Sequence, residues 1–231
     1  MLWRQGETLI LATASITPDV PPWFGDKRPG GWVTADYVML PGSTPRRKDW
    51  PKLGHTDSRG TEIQRLIGRA IRAVLDLSRI GPHTIAIDCQ VLQADGGTRT
   101  ASICAGYLAL RDALAKLPKD LPLPRTGAVL DADGRPLPRY DASFYDPSRA
   151  LVDELAAVSV GVVDGVVRLD LDYIDDAAAA VDMNIAFTAR GKFVELQGSA
   201  ENGEGFASDQ LMQMIQLATK GCRQLHEIMR A

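Results

Sequence analysis

The sequence predicts a protein that mixes helices and strands. Three observations carry this reading. Apolar residues recur at three and four from Ile63 to Val74, the spacing of one buried helix face. Ile85, Ile87, Cys89 and Val91 then alternate, as on a strand with one covered side. Later in the chain, Asp164-Gly165 and Arg190-Gly191 separate strand-like runs, and such dipeptides suit tight hairpin turns. A length of 231 residues allows one large domain or two small ones. Hydrophobic content of 45% and charged content of 24% exclude disorder, collagen and a disulfide scaffold as descriptions of the whole.

The elements follow in order. Thr8 to Ile16 reads as a buried strand, bounded by a turn-rich segment, and Gly31 to Leu40 as a second strand. PGSTPRRKDWPKLGHTDSRG is too long for a simple turn, and loops of that length usually carry function. A helix starts near Arg59 and ends at Gly81-Pro82, with Arg65, Arg69 and Arg72 off its apolar face. Thr84 to Gln93 is a strand. After Gly96-Gly97 the period changes, with Ile103, Tyr107, Leu110, Leu114 and Leu117 on one helical stripe. Residues 121–150 hold five prolines and read as a surface excursion, possible as a hairpin at Asp133-Gly134. Ala156 to Tyr173 alternates around Asp164-Gly165, and Asn184 to Gln197 turns at Arg190-Gly191. Ser208 is placed to cap a last helix striped by Leu211, Ile215, Ala218, Cys222, Leu225 and Met229.

Cysteines and apolar runs bound the environment. Cys89, Cys104 and Cys222 are far apart and odd in number, with no Cys-x-x-Cys pair, so they read as reduced thiols of a cytoplasmic protein. No apolar run approaches the roughly 20 residues of a membrane helix. The formal charge of −3 argues against a nucleic-acid partner only until it is divided. Residues 43–80 hold nine Lys/Arg against four Asp/Glu, a net of +5, and residues 153–182 hold one Arg against eight Asp/Glu, a net of −7. The first tract suits phosphate and RNA, the second a metal.

Three groups of residues could do chemistry. Gly96-Gly97-Thr98-Arg99 enters a helix, where free backbone N–H groups and the helix dipole favour an anion. Thr98 adds a hydroxyl and Arg99 a planar guanidinium matched to phosphate oxygens. The same residues also suit a plain strand-to-helix turn. Arg59 stands at another helix start, after Arg46, Arg47, Lys48 and Lys52, and reads either as a solvated arginine or as half of a convergent anion site. In LDLDYIDDAAAAVDMNIAF, Asp176 and Asp182 flank a small-residue segment between strands. Carboxylates so gathered suit Mg²⁺, which keeps waters and takes one or two carboxylates plus phosphate oxygens. Asp170 and Asp172 read as the solvated face of a strand. His55, His83 and His226 show no ligand spacing, and Glu195 and Glu201 read as surface charges.

Five stretches together resemble the ribonuclease PH family: GWVTADYVMLPGST, GTEIQRLIGRAIRAVLDL, IDCQVLQADGGTRTASICAGYLAL, AAVSVGVVDG and VDMNIAFTARGKFVELQGSAE. They cover nearly the whole chain except the proline-rich excursion and follow in the family's order. QADGGTRTAS is far more specific than a bare glycine-rich loop. The resemblance implies an α+β fold, a two-layer architecture of mixed β-sheet and helices, in a single domain over residues 1–231 with the excursion at 121–150 inserted. It implies a phosphate-consuming 3′-to-5′ exoribonuclease that trims tRNA 3′ ends and releases nucleoside diphosphates. Arg59, Gly97, Thr98 and Arg99 would bind inorganic phosphate, the co-substrate. Asp176 and Asp182 would be the catalytic pair that binds Mg²⁺ or serves the leaving group. A homo-hexamer built as a trimer of dimers is implied as well.

The chain also departs from the family's pattern. The usual N-terminal segment, with its glycine- and arginine-containing signature, is absent. Gly42 stands where the family usually has arginine and Pro45 where histidine is common, which makes Arg46 and Arg47 the candidate RNA contacts there. The excursion is longer than the corresponding family connection. Two other readings use the same residues: a non-catalytic RNA-binding ring subunit, and a phosphorylase of a small phosphorylated metabolite.

Overall fold

The computed structural model describes residues 1–18, 20–24, 30–50, 58–117, 145–201 and 205–231. Most of the excursion (118–144) and residues 51–57 of the long loop, with Lys52 and His55, lie outside the described residues. Two four-stranded sheets form the frame. The first holds β1 (Leu2–Gln5), β2 (Thr8–Pro18), β3 (Trp32–Met39) and β4 (His83–Gln93) in the order β1-β2-β4-β3. Only β3 and β4 run parallel, joined through helix α1 (Ser58–Arg72). The second holds β5 (Leu155–Val163), β6 (Val166–Leu169), β7 (Val181–Thr188) and β8 (Phe193–Ala200), all antiparallel, in the order β6-β5-β7-β8. Helix α2 (Thr98–Leu114) packs on both β2 and β5, so it lies between the sheets, and α4 (Ser208–Arg230) packs on β5, β6 and β7. Each sheet thus has its helix layer, in the mixed α+β arrangement expected.

The position of α2 explains a departure from the sequence pattern. A single apolar stripe is expected, yet every residue from Thr100 to Leu110 is buried, because protein covers all sides of the helix. Small residues allow the close approach: a Cβ at Gly106 would stand 3.2 Å from both Ile71 and Ile87. Strand β5 also departs. Alternation is expected, but all nine of its residues are buried, with α2 over one face and α4 over the other. Cys104 Sγ of α2 accepts from Ala157 N–H (3.3 Å), and Cys222 of α4 lies 3.7 Å from Ala156 O. All three cysteines are buried and free, and burial pushes the Cys89 and Cys104 thiols up to about 12.

Other boundaries shift for local reasons. Helix α1 stops at Arg72, ahead of the expected Gly81-Pro82. Residues 74–76 turn aside to pair with the chain after the excursion: Val152 N–H donates to Val74 O (2.9 Å) and Asp76 N–H to Ala150 O (2.8 Å). Asp76 then caps a 3₁₀ turn over Leu77–Ile80, which Gly81 ends at φ +64°. Arg72 is half-buried rather than solvated; it donates to Val33 O (2.9 Å) and lies 4.5 Å from the Trp32 ring centre. The first strand of the sheet, β1, is absent from the sequence reading because it is only four residues long. Gly6, at φ +57°, turns it into β2. Both late hairpins are present as expected, β5 with β6 and β7 with β8. Helix α4 begins at Ser208, but Ala207 is its cap residue, and Gln210 Oε1 accepts from Ala207 N–H (3.0 Å).

His226, on the buried stripe of α4, lies 3.7 Å from Glu154 Oε2. Burial lowers its pKa below 6.5, with Glu154 opposing. The folded state therefore prefers the neutral ring. This stability is fully present above pH 6.5 and is lost as pH falls through the lowered folded value. Denaturant midpoints of wild type and H226L, measured from pH 8 to 5, should differ by a constant amount above that window. Below it, the wild type should lose ground to the variant; a constant difference across the whole range contradicts this account.

Candidate active site

The site begins where β4 meets α2. Gly96 and Gly97 both take positive φ, +76° and +56°, and Gly97 is the cap residue of α2. Having no side chain, Gly97 places no capping oxygen over the first N–H groups of the helix, which stay open to an anion. Gly96 has a second constraint: a Cβ there would lie 2.2 Å from Leu171 O, on the segment that leads into the acidic helix. Thr8 fixes the turn from the other side, donating to Gly96 O (2.7 Å) and accepting from Asp95 N–H (2.9 Å). Tyr37 Oη lies 2.9 Å from Thr98 Oγ1.

Arginines enter from two helix starts. Arg99 is the second residue of α2 and Arg59 the second of α1, and the two helices pack against each other. Facing them is the acidic segment, which contains a short helix absent from the sequence reading, α3 (Tyr173–Ala178). Asp172 caps it by accepting from Asp175 N–H (2.8 Å), so this aspartate shapes backbone rather than solvating a strand. Asp95 Oδ1 accepts from Tyr173 N–H (3.2 Å), a further tie between the glycine turn and α3. Asp176 stands on α3, and Asp182 is the second residue of β7.

The electrostatics show how close these groups come. Burial raises the Asp182 carboxyl to about 6, and Asp176 pushes in the same direction, while Arg99 and Arg59 pull it down. Asp176 is also raised by loss of water, again against Arg99 and Arg59. Glu201, read from sequence as a surface charge, raises both. A cleft of about 720 Å³ is lined by Arg59, Gly97, Thr98, Arg99, Asp176 and Asp182. Arg46 and Arg47 stand exposed on its rim. Their loop is tied to the end of β4 by Ala94 N–H donating to Ser43 O (2.8 Å). A second opening of about 480 Å³ shares Arg59, Arg99, Asp176 and Asp182 and adds Glu62 and Glu201.

Every sequence-nominated residue thus meets in one place. The structure adds Ser159 and Asn184 to the cleft, one on β5 and one opposite it on β7. Both are buried polar residues on strands, and no spacing rule marks them. Glu195 instead pairs with Arg69 of α1 (2.9 Å). Among the described residues no group of three His, Cys, Asp or Glu side chains forms a metal cage. Asp176 and Asp182 offer two carboxylates there, which fits a cation that fills the rest of its shell with water and phosphate oxygens.

Comparisons with known proteins agree with this architecture. Residues 1–116 match the model of the 3′ exoribonuclease family, domain 1, and residues 153–221 that of its domain 2. The ribonuclease PH of Rhodopirellula baltica is 46% identical over 231 residues, covering 100% of this chain and 86% of that one. The chain belongs to the ribonuclease PH family. The ribonuclease PH of Mycolicibacterium gilvum is also 46% identical, over 233 residues, covering 100% of this chain and 80% of that one. Two solved structures share the fold at low identity. Rice Rrp46 has a TM-score of 0.70 at 14% identity, covering 100% of this chain and 85% of that one. A chain of the Archaeoglobus fulgidus exosome with RNA bound to the active site has a TM-score of 0.70 at 18% identity, covering 98% and 81%.

The contact at Gly96 yields a direct test. Gly96→Ala places a methyl group against Leu171 O in a backbone conformation that alanine disfavours. Such substitutions cost about 1 kcal/mol from backbone alone, and the overlap adds to it. Chemical denaturation should show a loss of roughly 2 kcal/mol or more, with catalytic activity falling in the protein that still folds. Wild-type stability and activity together would show that the turn and the acidic segment do not need this approach.

Proposed function

We propose that the cleft holds inorganic phosphate and the last phosphodiester of an RNA chain side by side. The chain is a phosphorolytic 3′-to-5′ exoribonuclease of the ribonuclease PH type, a nucleotidyltransferase that trims tRNA precursors. The observation that carries the mechanism is the meeting, in one cleft, of two helix-start arginines, an uncapped glycine turn and a raised carboxyl pair.

Phosphate, not water, attacks the terminal phosphorus. Two anions must therefore approach each other, and their repulsion is the first barrier. Arg59, Arg99, Thr98 and the open N–H groups after Gly97 hold the attacking phosphate and screen its charge. Holding both reactants in line supplies most of the acceleration in phosphoryl transfer. The bond from phosphorus to the 3′ oxygen of the preceding nucleotide breaks as the new phosphorus–oxygen bond forms. That 3′ oxygen takes a proton, and the products are a nucleoside diphosphate and RNA shorter by one nucleotide. Asp182, raised to about 6, is suited to hold a proton near the leaving oxygen. Ionised instead, Asp176 and Asp182 are the residues that would hold Mg²⁺, which would neutralise charge developing on the transferred group, and Asp182 then does not carry the proton.

Arg46 and Arg47, on the rim, are placed to contact the RNA backbone upstream of the reacting end. The cleft draws on both family-matched halves, so residues 1–231 work as one catalytic domain in this reading. A homo-hexamer arranged as a trimer of dimers and a cytoplasmic location complete it. No helix among the described residues is long and apolar enough to cross a membrane.

Incubation with a 3′-extended tRNA, Mg²⁺ and varied inorganic phosphate tests the assignment. Shortening should rise with phosphate concentration. Arg99→Ala should cut kcat/KM for phosphate by roughly 100-fold or more while leaving the assembled protein intact. Asp182→Asn should abolish turnover and spare RNA binding. Full activity of either variant would show that the corresponding role is misassigned.

A further inference from the structure

We infer that Asn184 is an additional phosphate-contacting residue, its carboxamide donating to an oxygen of the inorganic phosphate bound beside Gly97. This deepens the phosphate-site reading above and rests on it.

Asn184 is only 6% exposed, yet it lines the cleft. No described residue hydrogen-bonds its carboxamide. Its amide atoms are not among the fully enclosed unpaired ones, so they open on the cleft rather than on packed protein. The buried residue paired with it across the sheet does not share this condition. Ser159, opposite it on β5, is equally buried, and its Oγ accepts from Leu171 N–H at 3.0 Å. The folded protein therefore carries an amide whose partner comes from the cleft.

Location identifies that partner. Asn184 follows Asp182 by two residues on β7, so both side chains leave the same face of the sheet. Ser159 in turn reaches the anion turn, its Oγ 3.5 Å from where a Cβ of Gly97 would stand. Asn184 thus sits at the glycine-turn end of the cleft, away from the exposed rim of Arg46 and Arg47. What binds there has oxygens that accept hydrogen bonds, and the amide NH₂ can supply a donor without adding charge. An arginine in this place would pair with Asp182 and quench it; a neutral donor leaves both groups free for substrate.

A role in binding and a role in packing predict opposite outcomes for Asn184→Leu, which keeps the volume and removes the polar group. Thermal unfolding should be followed against inorganic phosphate, with ionic strength matched by chloride. The wild type should gain stability as phosphate rises. Without phosphate, N184L should unfold at the wild-type temperature or above it, because the amide makes no protein hydrogen bond that the substitution could remove. Its phosphate response should shift to roughly 10-fold higher concentration or more. Asn184→Asp, equal in size, should lose the phosphate response more completely, since a carboxylate repels the ligand. A wild-type phosphate response in N184D, or in a folded N184L, overturns the proposal. So does an N184L protein that is less stable without phosphate and still responds normally. If the wild type itself shows no phosphate response, the phosphate-site reading falls and this inference falls with it; Arg99→Ala, which should lose the response, marks that case off from a failure of Asn184 alone.

Discussion

The site depends on the approach of Gly96 to the backbone of Leu171, closer than any side chain would permit. The turn before α2 comes from the first sheet's half of the chain, and the acidic helix α3 from the second. Neither half carries both the arginines and the carboxyl pair of the cleft. Where the two backbones meet, Asp95 ties itself to Tyr173 and Thr8 ties itself to Gly96. The uncapped start of α2 and the Asp176–Asp182 pair are then fixed in one frame. Preorganisation of this kind keeps donors aimed at a charge that develops only during reaction.

Burial of α2 supplies the rigidity. A helix enclosed from Thr100 to Leu110 cannot tilt without disturbing Ile71 of α1, Ile87 of β4 and Ala157 of β5, which flank it. Its first turn is therefore a fixed platform, and Arg99 and the open N–H groups inherit that order. The carboxyl pair is held differently. Asp172 caps α3, and Ala180 N–H donates to Val162 O at 2.8 Å, so Asp176 and Asp182 leave two anchored segments a few residues apart. Lost water raises both carboxyls, Asp176 adds to the rise at Asp182 and Glu201 to the rise at both, and Arg99 and Arg59 limit it.

Much of this was legible in the sequence, and the physical reasons differ by element. Helix α1 shows its stripe because one side meets solvent, and both late hairpins show their turn residues. The glycine turn and the acidic pair are visible because glycine at positive φ and clustered aspartates leave marks in composition. Enclosure of α2 and of β5 is not legible: a helix or strand covered on every side loses the contrast on which periodicity depends. The early stop of α1 was hidden as well, since it follows from pairing of residues 74–76 with chain some 75 residues later. Asn184 and Ser159 carry no spacing signal, because what distinguishes them is tertiary: one buried polar side chain is partnered and the other is not.

The central claim is that inorganic phosphate itself becomes part of the product. The most direct measurement supplies radiolabelled inorganic phosphate with unlabelled 3′-extended tRNA and Mg²⁺, then identifies the released nucleotides. The account predicts nucleoside diphosphates carrying the label on their terminal phosphorus. Unlabelled nucleoside monophosphates would mean that water is the nucleophile, and would contradict it.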